Sequence, residues 1–149
     1  MGSLDSKVVI VTGASSGMGR AIAVAMASEG ARLGLVARRR DKLDEVASSV
    51  RAQGTDATTF TGDVADKEFV KGTILNMIER FGRIDVLVNN AGTNTFHRNL
   101  ADISVADWQH VLDTNLTGVF LFTRYVLPPM RTAGQGQIIN ISSGAGVAP

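Results

Sequence analysis

The sequence predicts one α/β domain over residues 1–149, built on a doubly wound parallel sheet. Short apolar runs of strand length alternate with segments whose apolar residues recur at helical spacing. The first run, residues 8–11, contains only valine and isoleucine, which is typical of a strand buried on both faces of a parallel sheet. A glycine-rich turn and an alanine-rich helical pattern follow it directly. Because parallel strands need crossover connections, we expect helices on both faces of the sheet.

The remaining elements follow in order along the chain. The first helix begins at Met18 and ends at Gly30, and its predicted inner face carries Met18, Ile22, Ala25 and Met26. The further strands are expected at residues 31–37, 55–61, 84–88 and 137–142. Between them we predict helices with N-caps at Asp41, Asp66 and Ser104. The helix that begins at Ser104 is long, and we expect Pro128 and Pro129 to kink or end it.

Composition excludes several classes of protein. With 44% hydrophobic and 19% charged residues, the chain is an ordinary globular sequence, and its net charge of +1 gives no case for nucleic acid or a membrane surface. It has no cysteine, which excludes disulfides and thiolate metal sites. No signal-peptide pattern opens the chain, and we expect a cytoplasmic protein. Its two histidines, His97 and His110, lack neighbouring ligands of the usual spacing, so we predict no metal site.

The glycine turn after the first strand is the first candidate site. Its spacing, Gly13-x-x-x-Gly17-x-Gly19, differs from the common G-x-G-x-x-G pattern and from a P-loop. Gly13 would allow a sharp exit from the strand, Gly17 a close backbone approach to a pyrophosphate, and Gly19 tight packing of the helix. The alternative is a tight strand–helix turn that binds no ligand.

Two further loops belong to the same predicted crevice. With strand order 3-2-1-4-5, the crevice lies between the first and fourth strands, and Asn89-Asn90-Ala91-Gly92 follows the fourth. Asp63 follows the third strand, where it could accept a hydrogen bond from an adenine amino group or be an ordinary loop carboxylate. Two unusual loops therefore converge on one crevice.

Arginines end the second strand, at the position that distinguishes NAD from NADP sites. No acid stands at residues 35–37, and Arg38, Arg39 and Arg40 follow. An NAD site usually has an acidic residue here, whereas arginine suits the 2′-phosphate of NADP. Three cations are unfavourable at a helix N-terminus, and an anionic partner would account for them. The alternative is a solvated basic helix start.

Taken together, these motifs resemble those of the classical short-chain dehydrogenase/reductase family. The matching segments are residues 12–19, Asp63-Val64, residues 89–92, Asn115 and residues 140–143. The resemblance covers nearly the whole chain and implies a Rossmann-type sheet. It also implies a homodimer or homotetramer of the complete protein, packed through the long helix. The apolar residues that this helix would present are Trp108, Leu112, Leu116, Val119 and Phe120.

The resemblance also implies roles for individual residues. Ser15, Ser16, Gly17 and Met18 would line the pyrophosphate. Asp63 and Val64 would hold the adenine, and Asn90, Ala91 and Gly92 would touch the adenosine ribose. Asn115 matches a catalytic asparagine whose backbone carbonyl holds a water in a proton relay; alternatively it is a polar residue that bends the helix. Ser143 matches the serine that orients the substrate oxygen; without the family it would be a strand-end residue.

One family motif has no counterpart here. The acid/base motif Tyr-x-x-x-Lys would follow the serine by about 13 residues, and the single tyrosine, Tyr125, lies upstream. We therefore expect an N-terminal part of such an enzyme that is inactive alone. The function expected of the complete protein is NADP(H)-dependent hydride transfer to a carbonyl or from a secondary alcohol. The alternatives are a non-catalytic dinucleotide-binding module and, resting only on the three arginines, a nucleic-acid binder, which would need interleaved aromatic residues.

Overall fold

A computed structural model describes residues 2–96 and 99–144 of the protein. In this part of the chain five strands form one parallel sheet of order β3-β2-β1-β4-β5, which confirms the predicted topology. The strands are β1 Val8–Thr12, β2 Arg32–Ala37, β3 Ala57–Thr61, β4 Val86–Asn89 and β5 Gln137–Asn140. The helices are α1 Gly17–Ser28, α2 Arg40–Arg51, α3 Lys67–Phe81, α4 Val105–Leu112 and α5 Gly118–Thr132, and a π-helical segment, Asp113–Thr117, joins α4 to α5.

Two hydrophobic layers lie on opposite faces of the sheet, because successive side chains of a strand point to opposite sides. Val9 and Val11 of β1 belong to the layer that contains the inner faces of α1 and α2. Val8 and Ile10 belong to the layer that contains those of α3 and α5. All five residues of β1 are buried, as the uninterrupted apolar run predicts for a central strand.

The inner face of α1 differs from the predicted one. Its buried residues are the small ones, Gly19, Ala23 and Ala27, whereas Met18 is 63% exposed. Ile22 and Met26 are only partly buried, at the edge of the core. Small side chains allow the helix axis to approach the sheet closely, so the larger apolar residues lie at the flanks of the contact.

The predicted helix starts are confirmed at two of three positions. The Asp66 carboxylate accepts hydrogen bonds from the Glu68 and Phe69 backbone N–H groups, at 2.9 and 3.1 Å, and the Ser104 hydroxyl accepts one from the Asp107 N–H. The N-cap prediction for Asp41 is wrong. Helix α2 begins two residues earlier than predicted, with Arg39 as N-cap. Asp41 lies in the first turn, where a carboxylate still interacts favourably with the helix dipole.

The long predicted helix is interrupted by a π-helical segment, and its prolines do not end it. Between α4 and α5 the backbone adopts the π geometry, and the Gly118 N–H donates to the Asp113 carbonyl, five residues earlier. Helix α5 then continues through Pro128 and Pro129 to Thr132. Val126 and Met130, which flank the prolines, are both buried. Tertiary packing on either side therefore holds the helix together although two backbone donors are missing.

Strand β5 forms one edge of the described sheet. It ends at Asn140, two residues earlier than predicted. It pairs with β4 alone, and Ile139 is 39% exposed. Ser142 and Ser143 follow the strand in irregular backbone, at the same end of the sheet as the glycine turn, because all five strands are parallel.

A buried carboxylate fixes the opposite end of the sheet. Asp85 is 6% exposed and accepts hydrogen bonds from the Val8 N–H, at 2.9 Å, and from the Arg83 guanidinium. The Lys7 ammonium lies 3.8 Å away. Burial alone would raise the pKa of the Asp85 carboxyl, but the hydrogen bonds from Arg83 and Val8 and the two cations together hold this pKa below its usual value.

We predict that Asp85→Asn lowers the free energy of unfolding by roughly 1–3 kcal/mol at pH 7, because the Arg83 pair and the charged acceptor are lost. The folded pKa lies below the unfolded one. The Asp85 contribution is therefore present above about pH 5 and is lost as the pH falls through the unfolded and then the folded pKa. Urea unfolding at a series of pH values measures it. The control is Asp44→Asn, which removes an exposed ion pair with Arg40; equal losses for the two variants would contradict the prediction.

Candidate functional site

A cavity of about 320 Å³ opens at the carboxyl ends of the strands. Ligands of doubly wound sheets bind at this edge. Four loops contribute to it, those that follow β1, β2, β3 and β4, together with one residue of the π-helical segment. The lining residues are Gly13, Ser15, Ser16, Ala37, Arg38, Arg39, Gly62, Asp63, Val64, Asn90, Ala91, Gly92 and Thr114. The two loops predicted to converge therefore do so.

The glycine turn gives the cavity its first wall. Gly13 and Gly17 have φ angles of +66° and +53°, which favour glycine. A Cβ at Gly13 would lie 2.8 Å from the Ala91 Cα, and one at Gly19 would overlap the Gly13 carbonyl oxygen. Gly19 thus permits the close approach of α1 that its spacing predicts. Since Ser16, the N-cap of α1, makes no side-chain capping bond, the first N–H groups of this helix can face an anion.

Thr12 joins the end of β1 to the loop after β4. Its hydroxyl accepts hydrogen bonds from the backbone N–H groups of Asn90 and Ala91, at 3.0 and 2.9 Å. In return, the Asn90 side-chain amide donates to the carbonyls of Thr12 and Gly13, at 3.0 and 3.3 Å. The sequence analysis assigned no role to Thr12. Its position could have indicated a buried hydrogen bond, because it is the polar residue at the end of an otherwise apolar, buried strand.

Asn89 makes a second connection that sequence reasoning missed. It is buried, and its side-chain amide donates to the Asn140 side-chain oxygen at 2.9 Å and to the Thr123 hydroxyl at 3.3 Å. One side chain therefore joins β4, β5 and α5.

The loops after β2 and β3 carry the charges of the site. Arg38 and Arg39 are exposed at its rim, and an Arg39 guanidinium nitrogen lies 3.4 Å from the Ser15 hydroxyl. Asp63 is the one acidic residue among those that line the cavity; one of its carboxylate oxygens accepts the Ala65 N–H at 2.9 Å. Two cations against one carboxylate make this end of the cavity electropositive.

Asn115 lies in the π-helical segment, beside the cavity but not in its lining. Its side-chain oxygen accepts the Thr93 N–H at 2.8 Å, and its side-chain nitrogen donates to the Thr93 carbonyl at 2.9 Å. This reciprocal pair fixes the loop after β4 to the long helix. A π segment also interrupts the regular helical hydrogen-bond ladder, so the position both distorts the helix and anchors the loop.

The other predicted residues lie outside the cavity lining. Gly17, Met18 and Gly19 lie along the start of α1, and Ser143 follows β5. His97 lies outside the described residues, and His110 is exposed in α4. Within residues 2–96 and 99–144 no three potential ligands are grouped as a metal ion would require, and none of the helices there combines the length and apolarity needed to cross a bilayer.

Comparison with known proteins identifies the family. A family model described as short chain dehydrogenase matches residues 7–149. The chain belongs to this family. A 3-oxoacyl-[acyl-carrier-protein] reductase of Synechocystis sp. is 41% identical over 99% of the chain and 60% of its own length. A 3beta-hydroxysteroid dehydrogenase of Mediterraneibacter gnavus is 36% identical over 99% of the chain and 53% of its own length.

Two solved structures of nicotinamide-dependent oxidoreductases share the fold. A metagenomic short-chain oxidoreductase in complex with NADP is 39% identical, with a TM-score of 0.93 over 99% of this chain and 66% of its own. An NAD⁺-bound xylitol dehydrogenase is 36% identical, with a TM-score of 0.94 over 97% of this chain and 56% of its own. This short-chain dehydrogenase sequence thus spans between half and two thirds of the length of the relatives named here. The two solved structures contain different cofactors, NADP and NAD⁺.

We predict that Thr12→Val destabilises the protein by roughly 1–3 kcal/mol, because the partly buried N–H groups of Asn90 and Ala91 lose their acceptor. Thr12→Ser keeps the hydroxyl and is the matched control. Denaturant unfolding compares the two. If the valine and serine variants lose the same stability, the hydroxyl is not what holds the β4 loop.

Proposed function

We propose that the complete protein is an NADP(H)-dependent oxidoreductase that transfers a hydride between the nicotinamide and a carbonyl or secondary alcohol. One observation carries the proposal: the cavity brings the glycine turn, two arginines and the Asn90–Gly92 loop together at the carboxyl edge of the sheet. Family membership supports oxidoreductase chemistry. The residues Arg38 and Arg39 support the choice of cofactor.

The residues present fit a dinucleotide phosphate. The start of α1 offers backbone N–H groups, the turn has glycine where a Cβ would obstruct, and no acid lies in the first turn of α1. The pyrophosphate would then be lined by Ser15, Ser16, Gly17 and Met18. Asp63 and Val64 would bound the adenine, and Asn90, Ala91 and Gly92 the ribose.

NADP(H) is favoured over NAD(H) by the charges at the rim. Arg38 makes no hydrogen bond or ion pair with any described residue, so its guanidinium is available to a 2′-phosphate. Arg39 lies beside the Ser15 hydroxyl and would add a second cation. An acidic residue that would repel this phosphate and bind ribose hydroxyls is absent at residues 35–37.

The chemical step divides between the cofactor and the chain. The bound cofactor supplies or accepts the hydride. We propose that Ser143 orients the substrate oxygen by a hydrogen bond. We propose, from the resemblance to the family, that the Asn115 backbone carbonyl holds a relay water, while its side chain is bound to Thr93. The proton donor would come from a Tyr-x-x-x-Lys motif, which the 149 residues do not contain.

The alternative function is a dinucleotide-binding module without catalysis. It rests on the missing tyrosine and lysine, and the relatives, which are named as reductases and dehydrogenases, favour the enzyme. Their names also support a ketone or secondary alcohol as the substrate class.

We further propose a homodimer or homotetramer, because α4 has no buried residue and Trp108, Leu116 and Phe120 are exposed. A cytoplasmic location stays a prediction.

We predict that the complete protein binds NADPH roughly 10- to 100-fold more tightly than NADH, as expected for a charge-assisted hydrogen bond to the 2′-phosphate. Arg38→Asp should reverse this order in calorimetric titrations of both cofactors. Arg40→Asp is the matched control, because Arg40 is exposed and does not line the cavity. Equal wild-type affinities would refute the role of Arg38, and no binding of either cofactor would refute the proposed function.

We also predict that residues 1–149 produced alone bind NADPH weakly and catalyse no turnover. Without an acid of suitable pKa the rate should fall by about 10²–10⁴-fold, and the exposed edge strand β5 favours association of copies. The measurement is NADPH oxidation with a generic ketone, alongside the complete protein. Ordinary enzymatic rates from the 149 residues would contradict the prediction.

A further inference from the structure

Asn89 and Asn90 are neighbours at the end of β4, and their side chains bond to the two strands on either side. The Asn90 side-chain amide donates to the carbonyls of Thr12 and Gly13 at the end of β1. The Asn89 side-chain amide donates to the side-chain oxygen of Asn140, at the end of β5, over 2.9 Å. The end of β4 is therefore joined to both neighbouring strands by side chains, in addition to the backbone pairing of the sheet.

The end of β5 depends on Asn89, because β4 is the strand that β5 pairs with in the described sheet. Just beyond β5, the backbone N–H of Ile141 donates to the Asn89 carbonyl at 2.9 Å. Asn89 thus holds the end of β5 through a backbone acceptor and through a side-chain donor. Ser143 follows Ile141 by two residues. A displacement of Asn140 would therefore move Ser143 with it.

Burial makes the bond between Asn89 and Asn140 a constraint on position. Asn89 is 3% exposed, so bulk water does not supply acceptors for its side-chain amide. A buried donor that loses its acceptor costs free energy, and this cost holds Asn140 in place. The second acceptor of the same amide is the Thr123 hydroxyl, at 3.3 Å. Thr123 lies in α5, so this second bond does not involve the strand that leads to Ser143.

We propose that Asn89 and Asn140 are positioning residues that set the distance between Ser143 and the Asn90–Gly92 loop. This inference rests on the proposed function, in which Ser143 orients the substrate oxygen. Hydride transfer requires the substrate carbon to lie within reach of the nicotinamide, and a misplacement of about 1 Å can lower a rate about 10²-fold. The side chain of Asn90 fixes its loop to β1, and that of Asn89 fixes the serine segment to the same end of β4.

The experiment removes the two acceptors of the Asn89 amide, one at a time, in the complete protein. Asn140→Leu and Thr123→Val each replace an acceptor by an apolar group of similar size, and thermal unfolding should show similar losses of stability. We expect Asn140→Leu to lower kcat for NADPH oxidation with ethyl acetoacetate by about 10- to 100-fold, with an unchanged calorimetric Kd for NADPH. Thr123→Val should keep the wild-type kcat. Asn140→Asp keeps an acceptor and should restore most of it.

Two further measurements show whether the effect passes through Ser143. In a Ser143→Ala background, Asn140→Leu should lower kcat no further, because the group that it misplaces is already gone. Amide hydrogen exchange without cofactor should be faster over residues 139–143 in Asn140→Leu and unchanged there in Thr123→Val. Asn140→Ala gives the same tests should the leucine variant not fold.

The outcomes separate this inference from the proposed function. A wild-type kcat in Asn140→Leu, or equal losses of kcat in Asn140→Leu and Thr123→Val, overturns the positioning role and leaves the proposed function in place. An undiminished effect of Asn140→Leu in the Ser143→Ala background also overturns it. A wild-type protein that binds NADPH but reduces neither ethyl acetoacetate nor another ketone overturns the proposed function. Hydrogen exchange then still decides whether the bond between Asn89 and Asn140 holds the serine segment.

Discussion

The approach of β1 to β4 at their carboxyl ends is the constraint on which the rest of the structure depends. Gly13 leaves β1 at a positive φ and has no room for a side chain against Ala91. The Thr12 hydroxyl accepts hydrogen bonds from two N–H groups of the loop after β4, and the Asn90 side-chain amide donates two hydrogen bonds to carbonyls at the end of β1. These hydrogen bonds pair backbone groups that both loops would otherwise leave unsatisfied, so the two loops hold one another in position.

The packing of α1 follows from the same junction. Gly19 rests against the Gly13 carbonyl, and Ala23 and Ala27 continue the contact further along the helix. Larger side chains at these positions would lift the helix from the sheet and move its N-terminus away from the cavity. The position of α1 thus explains why the buried face consists of its smallest residues. It also explains why the spacing of the larger apolar residues, such as Met18 and Ile22, gave a wrong prediction of the buried face of α1.

Much of the fold was readable from the sequence because its signals are local. The valines of β1 predict a buried strand, and the Asp66 carboxylate predicts a helix start; each signal lies within a few residues of the element it predicts. The family motifs located the walls of the cavity. What could not be read depends on distant partners: Asn89 joins Asn140 and Thr123, and the buried Val126 and Met130 keep α5 intact through its prolines. The π segment at Asp113–Thr117 was not predicted as such; the sequence offered only Asn115 as a polar residue that could bend the helix.

Hydrogen-bond capacity separates the residues that shape the site from those that can bind a ligand. The side-chain amides of Asn89 and Asn115 are occupied by other parts of the chain, as are the donors of Asn90. Their amides therefore hold the loops in place, and replacing one would leave partners unpaired. The Arg38 side chain lines the same cavity and makes no hydrogen bond to a described residue. A ligand can gain most from such groups, because binding there breaks no existing bond of the protein. By this criterion Arg38, the cation at the rim, is the residue that we propose gives the chain's own contribution to recognition.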